Sequence, residues 1–72
     1  MFTVTAELVA SVLSVSVEPG QKVEPGDELL LLDSMKMEIP VITELAGTVT
    51  EVLVSAGDTV RDGDPLVLIA RA

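Results

Sequence analysis

Histidine, cysteine, tyrosine and tryptophan are absent from this 72-residue chain, and Phe2 is its only aromatic residue. The imidazole and thiol groups that serve as nucleophiles, proton shuttles and nitrogen or sulfur metal ligands are therefore missing, while carboxylates could still do acid–base work or hold a hard cation. The ordinary place for such acids is a solvated surface, so we expect no catalytic residue, no metal site and no enzyme in this chain alone. Basic residues are scarce too: Lys22, Lys36, Arg61 and Arg71 face twelve acids, for a formal charge of -8. That balance argues against nucleic acid or an anionic membrane as partner. No apolar run is long, and Met1 is followed by neither a basic nor an extended hydrophobic segment, so no signal peptide or membrane span is expected. The lack of cysteine removes disulfides and, with the missing leader, favours the cytoplasm.

What remains is aliphatic. Apolar residues make up 49% of the chain, and with one aromatic the core must be Val, Leu and Ile, residues that favour strands. Seventy-two residues hold one core at a size where closure of the fold matters. Sliding the sequence by 37 positions lays residues 3–33 over 40–70 without a gap, with twelve identities over thirty-one positions. Shared composition would give roughly three, so the chain reads as two copies of one unit with pseudo-two-fold symmetry. Val4, Glu7, Leu8, Val12, Gly20 and Gly26, for example, meet Val41, Glu44, Leu45, Val49, Gly57 and Gly63. Alternation predicts strands near 3–8, 11–17, 28–33, 38–43, 48–54 and 65–70, with short extended pieces near Lys22-Val23 and Thr59-Val60 and no helix. Pro19-Gly20 and Pro25-Gly26 fit the central positions of type II turns. The expected fold is all-β, a flattened barrel or sandwich of two facing sheets of about four strands, one dominated by each half. The full pair of repeats leads us to expect one domain over residues 1–72.

Between the two copies lies Leu29 to Ile42, two apolar runs around a polar break centred on Lys36. Strand, reversal, strand is the natural reading, with Lys36 near the tip. Tight two-residue turns need positive φ and prefer Gly, Asn or Asp, yet Ser34-Met35-Lys36-Met37 offers none of these. A broken local rule points to strain or function, so Lys36 is read as a lysine held out to be modified. The repeat sets Lys36 against positions just outside both ends of the chain, which puts the hairpin at one pole and the termini together at the other. A protein tethered by its termini would then present Lys36 outward.

Ser34-Met35-Lys36-Met37, followed by Glu38-Ile39-Pro40-Val41, resembles the attachment site of biotinyl domains, members of the biotin/lipoyl attachment family marked by a Lys between two Met residues. Ala46-Gly47-Thr48-Val49, Gly57-Asp58, and Gly63-Asp64 followed by Leu66 are similar to the family's downstream markers. The resemblance implies a barrel-sandwich hybrid of two four-stranded antiparallel sheets with quasi-two-fold symmetry and the modified Lys at a hairpin tip. Two departures concern the local chain. Glu7 and Ala10 stand where many relatives have a Pro- and Gly-containing segment, and Ser34 stands where Ala is commoner, a change read as harmless. The gapless repeat leaves no room for the extra loop, or thumb, that some biotinyl domains carry.

The same resemblance implies a function. A biotin protein ligase would join biotin to Lys36 by an amide, taking the carboxyl group of biotinyl-adenylate, and Met35 and Met37 would flank the lysine for recognition. Biotin carboxylase would then load a carboxyl group and a carboxyltransferase would unload it, within a biotin-dependent carboxylase or decarboxylase. Lysine plus the biotin tail makes an arm on the order of 15 Å, so one carrier serves two sites. Asp33 and Glu38 are read as solubilising charge. Two other readings share the fold: a lipoyl carrier, whose pattern has a polar residue before the Lys and Ala after it, and an unmodified structural or docking barrel.

Overall fold

The computed structural model describes residues 2–71, which form eight strands and no helix. They are β1 (Phe2–Thr5), β2 (Ala10–Val15), β3 (Lys22–Val23), β4 (Glu28–Ser34), β5 (Met37–Ile42), β6 (Gly47–Val52), β7 (Thr59–Val60) and β8 (Pro65–Arg71). Two four-stranded antiparallel sheets face each other, ordered β1-β8-β6-β3 and β5-β4-β2-β7. The expected fold is therefore the observed one, and the repeat accounts for it strand by strand. Moving β2, β3 and β4 by 37 positions gives the limits of β6, β7 and β8. Each sheet takes its two inner strands from one copy and its edge strands from the other, so neither half can close a sheet alone.

Backbone hydrogen bonds between the copies obey the same shift. The Ala6 N–H donates to the Asp64 carbonyl and that of Gly63 to Ala6; in the other copy Thr43 donates to Asp27 and Gly26 to Thr43. Both Pro-Gly sites turn as expected, with Gly20 and Gly26 at φ 92° and 94° and the closing bonds running from Gln21 to Glu18 and from Asp27 to Glu24. β1, β2 and β6 end earlier than alternation suggests, at Thr5, Val15 and Val52. The chain leaves the ladder there but keeps packing: Ala6 and Val17 are buried and Leu8 and Val54 half-buried. Alternation follows burial, which outlasts strand pairing.

Leu29, Leu30, Leu32, Leu66, Val67 and Ile69 fill the centre of the core with almost no exposure. Burying each such side chain is worth about 1.5–3 kcal/mol, the main return available to so small a domain. Consecutive buried residues such as Leu29-Leu30 need a break in the two-residue period, and β-bulges supply it. Leu29 is the extra residue between Glu28 and Leu30 where β4 pairs with β5, and Leu66 is its counterpart in β8. Bulges also bend and twist the strands, which helps two small sheets curl over one core. Pro40 lies in β5, an edge strand, where a missing N–H costs no ladder bond.

Candidate functional site

Ser34 at the end of β4 pairs directly with Met37 at the start of β5, so only Met35 and Lys36 remain to reverse the chain. Both turn with positive φ, 53° and 65°, and they are the only non-glycine residues among those described to do so. Positive φ at both central positions is the mark of a type I′ turn, whose twist matches that of the flanking strands. Strand register thus dictates a turn that the side chains at its tip disfavour, at a cost of order 1–3 kcal/mol per residue.

The tip is a surface feature. Met35 is 92% and Met37 64% exposed, and Lys36 is exposed between them. The Lys36 ammonium has no hydrogen bond or ion pair among the described residues. Asp33 and Glu38 stand directly opposite one another on β4 and β5, a like-charged pair next to the closing residues, and neither is bonded to the amine. Large exposed apolar side chains disfavour solvent, so two of them beside an unpaired amine form a patch suited to contact with another protein. A groove of about 320 Å³ runs between β1 and β5, with Val4, Ile39 and Val41 in its lining, but Met35, Lys36 and Met37 take no part in it. The lysine is held out to solvent and not enclosed.

The β4–β2 ladder holds the hairpin as far as Asp33, opposite Ser11, and next to the turn the Ser34 hydroxyl adds a side-chain tie, donating to the Val9 carbonyl at 3.0 Å. Val9, in the short link between β1 and β2, is itself 63% exposed and adds to the apolar surface around the tip. Sequence reading gives Val9 no role and takes Ser34 as a harmless replacement for Ala. Val9 looks like one more strand aliphatic, and the bond joins positions 25 apart in the chain.

The molecule measures 34 × 18 × 17 Å, and strand register fixes what lies at each end. Thr5 at the end of β1 opposes Pro65 at the start of β8, and after a short link Ser11 opposes Asp33 beside the tip. Since β8 starts at the hairpin end, Arg71, at its far end, and Phe2, opposite Ile69, lie toward the other pole. Met1 and Ala72 fall outside the described residues. Among those described, no group of three or more carboxylates is placed to hold a metal ion, and no helix is long and apolar enough to cross a membrane.

Two interlocked copies with one exposed hairpin lysine have the architecture of a carrier domain, and comparison with known proteins agrees. Residues 3–69 match the family described as biotin-requiring enzyme. Biotinylated protein TB7.3 of Mycobacterium tuberculosis is 59% identical over 39 residues, 54% of this chain and 55% of that protein. The gamma subunit of glutaconyl-CoA decarboxylase from Acidaminococcus fermentans is 56% identical over 36 residues, 50% of this chain but 25% of that subunit. These matches thus span about half of the first relative and a quarter of the second. Among solved structures, a single-chain, multi-domain long-chain acyl-CoA carboxylase superposes with a TM-score of 0.92 at 31% identity, covering 99% of this chain and 7% of that one. The lipoyl domain of the Azotobacter vinelandii 2-oxoglutarate dehydrogenase complex gives 0.85 at 20% identity, over 100% and 99% of the two chains, a likeness of fold alone. The chain belongs to the biotin-requiring family: it is a biotinyl domain, a biotin-requiring carrier.

Proposed function

We propose that this chain is a non-catalytic biotin carboxyl carrier, one domain over residues 1–72, with biotin in amide linkage to Nζ of Lys36. The reading rests on one observation above all, the exposed Lys36 with no side-chain partner at the tip of a register-locked turn. Covalent attachment needs a reachable amine with room on every side, and that surface fits the group. Bound biotin supplies a ureido ring able to carry a carboxyl group. Everything else asked of this chain is placement: β4 and β5 hold Lys36 at a fixed distance from the barrel, and Met35 and Met37 give visiting proteins an apolar grip. The partners are a biotin protein ligase, a biotin carboxylase and a carboxyltransferase, all in the cytoplasm. Tethering near those sites raises the effective concentration of the cofactor, the main contribution a carrier makes to rate.

Intact-mass measurement after incubation with biotin protein ligase, biotin and ATP tests the reading. One biotinyl adduct per chain is expected. A chain left bare by biotin ligase but loaded by lipoate ligase would be a lipoyl carrier, and one left bare by both a docking barrel.

A further inference from the structure

We propose that Ser34 is a positioning residue, whose hydroxyl clamps the Met35-Lys36 turn to the Val9 carbonyl and so sets the direction in which the Lys36 amine is offered to the ligase. The inference rests on Lys36 being the attachment residue. The β4–β2 ladder holds β4 only as far as Asp33, opposite Ser11; beyond it the Ser34–Met37 pair alone closes the hairpin, and a turn with two disfavoured φ values has neighbouring conformations to move into. Ser34 is the last residue of β4, next to that turn, and its bond reaches away from the hairpin to the link between β1 and β2. That link is itself fixed. Ala6 exchanges backbone hydrogen bonds with Gly63 and Asp64, so the clamp ties the turn to a rigid part of the second copy. At the other pole the repeat sets Arg71 in place of Ser34 and Ala46 in place of Val9, a pair with no hydroxyl, and no hairpin lysine stands there. An amine held in one orientation loses less freedom when the ligase engages it, and that saving appears as rate.

Because the acceptor is a backbone carbonyl, substitution separates the clamp from its surroundings. Ser34→Ala removes the hydroxyl and Ser34→Thr keeps it. Initial rates with biotin protein ligase, and the intraresidue NH–Hα NOEs of Met35 and Lys36, which are strong at positive φ, are measured for both variants and the parent chain. Ser34→Ala should lower kcat/KM roughly five-fold, the factor one hydrogen bond of ordinary net strength is worth, and weaken both NOEs toward averaged values. Ser34→Thr should restore rate and NOEs. Parent-like rate and NOEs in Ser34→Ala overturn the proposal, as does a Ser34→Thr chain as slow as Ser34→Ala. A parent chain that takes no biotin overturns the attachment reading instead, so the two failures are told apart.

Discussion

Ser34 and Met37 face each other as the last cross-strand pair of the β4–β5 hairpin, and that register leaves Met35 and Lys36 to turn at φ 53° and 65°. Met35 is 92% exposed and contributes little packing, so relieving its backbone has little to offset it. Met35→Gly should stabilise the domain by about 1 kcal/mol, a rise of some 4–8 °C in thermal midpoint for a domain of this size. A lower midpoint would show that the turn carries no strain at this residue.

Glycine in the Arg61–Asp64 turn, the repeat counterpart of the Pro25-Gly26 turn, has a different role. Gly63 sits at φ 91° with open space where a Cβ would point, so a side chain there meets no neighbour and the penalty is conformational. Gly63→Val should cost about 2 kcal/mol or more, because a branched residue strongly resists this region. Thermal or denaturant unfolding measures it, and unchanged stability would remove the turn assignment.

Gly47 is constrained by space instead. A Cβ at this position would press on the Ala70 carbonyl oxygen and lie 2.7 Å from the Ile69 side chain, while the first copy tolerates Ala10 at the matching position. Gly47→Ala should therefore cost about 1–3 kcal/mol and Ala10→Gly under about 1 kcal/mol. Equal losses at the two sites would mean that the copies pack alike here.

Much of this architecture could be read from residues alone, because a duplication states its symmetry twice. Val12 over Val49 and Gly26 over Gly63 imply two facing sheets, one dominated by each half, and the mismatch between a two-residue turn and Met35-Lys36 marks the tip. Other features were not legible. Leu29 to Leu32 is an unbroken apolar run, and only the bulge at Leu29 decides that Leu29, Leu30 and Leu32 point inward while Leu31 is half-buried. Nothing local to Ser34 announces a bond to Val9, since a side chain to backbone contact 25 residues away depends on how two sheets are stacked. Ser34 therefore read as a harmless replacement for Ala.

Met37 is 64% exposed, so Met37→Ala should change stability by less than about 0.5 kcal/mol. If the side chain is gripped by the ligase or the carboxylase, the same variant should be biotinylated or carboxylated several-fold more slowly. Parent rates in both assays would take recognition away from this residue and leave it as surface.

The chain contains only two lysines, Lys36 at the hairpin tip and Lys22 in β3, and both are exposed. Reactivity by exposure alone would not choose between them, so the choice a ligase makes tests the central claim most directly. After reaction with biotin protein ligase, biotin and ATP, peptide mass mapping of the parent, Lys22→Arg and Lys36→Arg chains locates the adduct. Biotin on Lys36 in the parent and Lys22→Arg chains, and none on Lys36→Arg, is the predicted result; biotin on Lys22, or retained after Lys36→Arg, would contradict the account.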